Sequence, residues 1–164
     1  GVEEVRLPWW GATSTSLDRH RQAAVSMLTD ARVRKAFDLK HAPAKVWRAL
    51  TDPALLAEWL LPVFNLKLET GAAFTFKTQA FPGWDGTVSC QFVEIEAQRK
   101  LSYTWGVPGM DTVVTFTLTP TESGTRLHLV QSGFKQEQKR EFGGARQGWK
   151  MMGGKLADVL AGLP

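Results

Sequence analysis

Four tryptophans, Trp59, Trp84, Trp105 and Trp149, are the residues of this chain best suited to chemistry, and that chemistry is binding. They stand in four different segments, so a fold could bring them to one place. Seven Trp and nine Phe against a single Tyr make an apolar aromatic set. Such rings bury large areas, and they also line sites for apolar or aromatic molecules. Phe76, Phe116 and Met152 would complete such a wall, with Cys90 in it and Gln131 as a polar anchor. Gly148, beside Trp149, would leave room where a larger side chain would fill it.

Bond-making chemistry has weaker candidates. Asp85, in Trp84-Asp85-Gly86, reads most simply as a turn residue, and Glu58 as a solvated helix residue. Either would be the general acid or base if a reaction occurs at the mouth of the site. Cys90 sits mid-strand between Val88 and Phe92, where a thiol is inert. His20, His41 and His128 fall in separate elements without ligand spacing, so no metal is expected. Gly143-Gly144, Gly148 and Gly153-Gly154 follow no parallel strand, so no phosphate cradle and no cofactor is expected.

The elements that would position these residues follow from periodicity. Phe142, Ala145, Trp149, Met152, Leu156, Val159/Leu160 and Leu163 recur at spacings of three and four. That predicts a long C-terminal helix from about Gln136 to Leu163. Gly144, Gly148 and Gly153 lie on or beside its inner face, and each costs roughly 1 kcal/mol relative to Ala. They predict a seam that is not filled. Ahead of it, Val33 to Lys40 suits a first strand. Pro43 opens a short helix, and Asp52-Pro53 caps and starts a second that Pro62 stops. The period then switches to two over 64–69, 72–78, 87–96, 101–105, 114–119 and 125–132. Sequential hairpins predict an α+β domain, one antiparallel sheet curled around the last helix.

Composition sets the outer limits. At 164 residues and 43% hydrophobic, the chain suits one globular domain. Residues 1–31 (loop, then a short helix from Ser16 to about Leu28) read as an extension to a domain over 32–164. A net charge of +4 is a small excess of basic residues, and it argues for no nucleic-acid partner. No apolar run approaches a membrane span, and Gly1 to Gly11 has no signal-peptide core. One cysteine permits no internal disulfide, which fits a reducing, cytoplasmic setting.

Several segments carry a resemblance. They are Val46-Trp47-Arg48-Ala49-Leu50-Thr51-Asp52-Pro53 with Leu56 and Trp59, Gly86-Thr87-Val88, and Leu101-Ser102-Tyr103-Thr104-Trp105. Val114-Thr115-Phe116-Thr117-Leu118, Gly124-Thr125-Arg126-Leu127, Ser132-Gly133-Phe134 and Gly148-Trp149 continue the series. In this order they resemble the SRPBCC (START-like, helix-grip) superfamily, in the branch named for the activator of heat-shock-90 ATPase (AHSA). The resemblance runs from about residue 33 to the end. It implies about seven antiparallel strands wrapped around a long C-terminal helix, two short helices after the first strand, and a cavity between helix and sheet. Many bacterial members have no assigned activity, and related superfamily members bind lipids, hormones or polyketides. Many members carry His where this chain has Gln131, which can hydrogen-bond a ligand but not shuttle a proton. Three functions follow as expectations. The first is binding of a small hydrophobic molecule, and the second a cyclase- or hydrolase-like enzyme in the same cavity. The third is a stress-related or co-chaperone-like interaction module, with homodimerisation as one form of it.

Overall fold

A computed structural model describes residues 31–164. The expected extension over 1–31, its helix and His20 fall outside the described residues, apart from Ala31. The chain runs β1 (Ala31–Leu39), α1 (Pro43–Thr51), α2 (Pro53–Trp59), β2 (Val63–Phe64), β3 (Ala73–Lys77), β4 (Thr87–Glu96), β5 (Lys100–Val107), β6 (Met110–Thr121) and β7 (Gly124–Phe134). A 3-10 turn, Gln136–Gln138, then leads into α3 (Lys139–Gly162). The seven strands form one antiparallel sheet in the order β1-β7-β6-β5-β4-β3-β2. This is the helix-grip α+β architecture.

Local chemistry explains the boundaries. Asp52 Oδ1 accepts the Ala54 N–H at 2.9 Å, capping α2, and Pro53 supplies its first residue. The strand expected over 64–69 shrinks to Val63–Phe64. Asn65 takes a left-handed conformation (φ 62°), which breaks the extended run that the alternating residues suggested. A register shift between Phe92 and Glu94 bends β4, and Val93 there faces solvent.

The inner face of the sheet carries Val88, Cys90 and Phe92 of β4, Leu101, Tyr103 and Trp105 of β5, Met110, Val114, Phe116 and Leu118 of β6, and Leu127 and Leu129 of β7. Alternate residues face out, as the two-residue period requires. Against this face α3 buries Glu141, Ala145, Gly148, Trp149, Met152, Gly153, Leu156 and Leu160. Those positions form one stripe at spacings of three and four. α3 also packs on β1, α1 and α2.

One glycine differs from expectation. Gly153 leaves no room, because a Cβ placed there would overlap the Phe37 ring of β1. The Phe37 ring already occupies the space, so helix and edge strand approach closely at this point. Gly153→Ala should therefore destabilise by about 1–3 kcal/mol, although Ala is the better helix former by about 1 kcal/mol. Urea unfolding of Gly153→Ala, Phe37→Leu and the double variant checks this. A stabilised Gly153→Ala, or strictly additive effects, would refute the tight contact.

Candidate functional site

A hydrogen-bonded thread crosses the middle of the helix–sheet seam. Gln131 of β7 has no exposed surface. Its Nε2 donates to Thr112 Oγ1 at 2.9 Å, and Thr112 donates in turn to the Trp105 carbonyl at 3.1 Å. Trp149 Nε1 donates to Gln131 Oε1 at 2.7 Å. An indole N–H only donates, so it fixes which way the amide faces. Gln131 thus joins β6 and β7 to α3. The polar anchor expected of it is already engaged at both ends of its amide.

Aromatic rings pack around this thread. Trp105 and Trp149 meet edge to face with centroids 5.9 Å apart, and Phe116 meets Trp149 at 6.0 Å. Phe116 continues to Trp59 at 6.4 Å, and Phe76 stacks obliquely on Trp105 at 5.3 Å. Trp59 donates its Nε1 to the Ala49 carbonyl at 2.8 Å, which joins α2 to α1. Met152 and Gly148 are buried on the α3 stripe. Three of the four tryptophans therefore share one connected set of rings. Trp84 does not join it: among the described residues no ring contact ties it to the others. It instead closes the turn before β4, donating Nε1 to the Thr87 carbonyl at 3.0 Å.

The two carboxylates chosen from sequence sit elsewhere. Glu58 is exposed on α2. Asp85 is an exposed turn residue whose Oδ1 accepts the Thr87 N–H at 2.9 Å. That bond, helped by Lys77, holds its carboxyl below the usual range. An acid with a lowered pKa in open solvent is poorly suited to donate a proton near neutrality. Burial pushes the Cys90 thiol up, and it pushes the Tyr103 hydroxyl well above its ordinary value, with Cys90 adding to the latter. Neither is an available nucleophile. Among the described residues no three His, Cys, Asp or Glu side chains gather as metal ligands.

Sequence reasoning missed Glu141. It is buried (2% exposed) in the first turn of α3, four residues before Ala145 and eight before Trp149. Its Oε2 has no hydrogen-bond partner. Gln136, also buried, has neither amide atom bonded. Gln138 is different: its Oε1 accepts the Lys135 N–H, and its Nε2 donates to the Gly109 carbonyl in the β5–β6 turn. Extending the apolar stripe back one turn from Ala145 would have landed on Glu141. Its charged type argued for solvent.

Open volume appears on the outer side of the sheet. A groove of about 650 Å³ crosses the outer face, with Ser89, Gln91, Thr104, Asp111 and Ser132 in its lining. A second of about 430 Å³ adjoins Trp84, Asp85 and Val107.

The family model described as activator of Hsp90 ATPase homolog 1-like protein matches residues 40–161. The chain belongs to this family. Among solved structures, this family member resembles protein MLL2253 of Mesorhizobium loti, with 38% identity and a TM-score of 0.74 over 79% of this chain and 96% of that one. It also resembles BH1534 of Bacillus halodurans (28% identity, TM-score 0.68, 79% and 96% covered). DynU16, from the dynemicin biosynthetic locus, is 26% identical with a TM-score of 0.70 over 82% of this chain. The match spans 48% of DynU16, about half its length. No curated protein matches the sequence. No helix among the described residues is long and apolar enough to cross a membrane.

Two measurements check the seam. Gln131→Leu removes the amide between sheet and helix and should cost about 1–3 kcal/mol in urea unfolding. No change would mean that the thread contributes nothing. Cys90 should resist thiol-reactive disulfide reagents in the folded protein and react at the rate of unfolding. Rapid modification under native conditions would show an open path to the inner face.

Proposed function

We propose that this family member binds a small molecule with an apolar or aromatic body between α3 and the concave face of the sheet. One observation carries the reading. Beside the Trp105–Trp149 pair, the buried stripe of α3 presents two small residues, Ala145 and Gly148, on adjacent turns. A helix shaped only for stability would carry Leu there. Trp105, Trp149, Phe76, Phe116 and Met152 would supply apolar contact, with Trp59 and Cys90 behind them. The START-like fold and the likeness to DynU16, a protein of a biosynthetic locus, support a small-molecule partner. Residues 32–164 would form the binding domain and 1–31 an extension to it.

The catalytic alternative draws its support from Glu141, the buried carboxylate among the described residues, and no longer from Asp85 or Glu58. Binding is favoured because among the described residues no second Asp, Glu or His is buried in the same seam. The co-chaperone alternative has the family's descriptive name behind it and no feature of the site.

Titration with an uncharged aromatic probe, naphthylethyl methyl ether, should quench tryptophan emission saturably. Gly148→Leu should weaken binding at least ~10-fold, about 1.4 kcal/mol, while circular dichroism and cooperative unfolding persist. Ala145→Leu serves the same purpose should Gly148→Leu unfold. Unchanged probe affinity in both folded variants would overturn the site.

A further inference from the structure

The buried end of α3 carries a chemical preference that the apolar seam alone lacks. Glu141 leaves the helix on the face shared by Ala145, Gly148 and Trp149, all buried against the sheet. Its Oε2 is sealed from solvent and accepts no hydrogen bond. Among the described residues no Lys, Arg or His pairs with it, and the neighbouring Lys139 and Arg140 are exposed. Gln136, five residues earlier at the same end, is buried with its amide oxygen and nitrogen unbonded. Native structures leave few buried polar groups unsatisfied, and a carboxylate is the costliest kind to leave so.

A structural role does not account for this burial. An acid in the first turn favours the helix dipole, but it does so equally well at the surface. Glu137, half-buried in the 3-10 turn, already places a carboxylate at that end. The helix entry is tied to the sheet by Gln138 and the Gly109 carbonyl, without Glu141.

We infer that Glu141 is the polar anchor of the seam, and that the preferred ligand is an aromatic or apolar molecule bearing a protonated amine. An ammonium group offers three N–H donors and a compensating charge. One can meet the Glu141 carboxylate, and Gln136 Oε1 is a further acceptor at that end. The aromatic body would then extend along Ala145 and Gly148 towards Trp149. Gln131 is occupied by Trp149 and Thr112, so this anchor stands in place of the one the sequence suggested. The inference rests on the binding site proposed above.

Three probes that share a naphthylethyl body test it on the full chain by isothermal titration calorimetry: naphthylethylamine, naphthylethyl methyl ether and naphthylpropionate. The amine should bind about 10- to 100-fold tighter than the ether, the range expected of a charge-assisted bond, and the propionate weakest. In Glu141→Gln, which keeps the shape, amine and ether should bind within about twofold of one another. Glu141→Gln without ligand should also melt at a higher temperature, since an amide costs less to bury without partners than a carboxylate does. Equal binding of amine and ether by the wild type would overturn the inference and leave the site standing. So would an amine preference that survives Glu141→Gln, or a lower melting temperature for that variant. Failure of all three probes to bind would overturn the site and the inference together.

Discussion

A sheet with one apolar face must cover that face, and α3 is the one long helix among the described residues that can do so. The other features of the fold follow from this cover. Strands β2 to β7 in meander order, with β1 added beside β7, build a concave surface, and the shift at Phe92/Glu94 deepens its curve. The helix then has to meet both the middle of the sheet and its β1 edge. At the edge, Gly153 admits the Phe37 ring. In the middle, Gln131 and Trp149 join the two layers through a bond of 2.7 Å.

The two halves of α3 do different work as a result. Towards its C-terminus, Gly153, Leu156 and Leu160 fill the space against β1 and the short helices. Towards its N-terminus the buried stripe begins Glu141, Ala145, Gly148 ahead of Trp149, so charge and small side chains precede the first large apolar one. Hydrophobic burial provides stability where the residues are Leu and Trp, at about 25 cal/mol per Å² of apolar surface removed from water. It provides none at a carboxylate. A helix that is secure at one end and under-satisfied at the other is a physical basis for a site, because a ligand can supply the missing contacts only there.

Much of this was legible in the sequence, for reasons that can be named. The period-two runs from Thr87 onwards gave the strands, because alternation is enforced wherever one face is buried and the other wet. The stripe from Ala145 to Leu160 gave α3, and Asp52-Pro53 gave the start of α2, because a cap and its proline act within a few residues. Strand β2 was over-read, because Asn65 turns the backbone without interrupting the polar–apolar pattern. The tryptophans were recognised as a set, but nothing in their spacing distinguished Trp84 from the three that meet.

The sequence by itself determined the architecture and the apolar character of the seam, since both depend on periodicity and local capping. Only the tertiary structure decided which polar groups are buried, and with what partners. Gln131 is engaged by Trp149 and Thr112 from two other elements, 18 and 19 residues away along the chain. Gly153 is filled by a ring from the first strand. Glu141, which a local reading would leave in water, is enclosed by long-range packing. Burial of a single side chain is the sum of contacts from distant segments, so no local pattern encodes it.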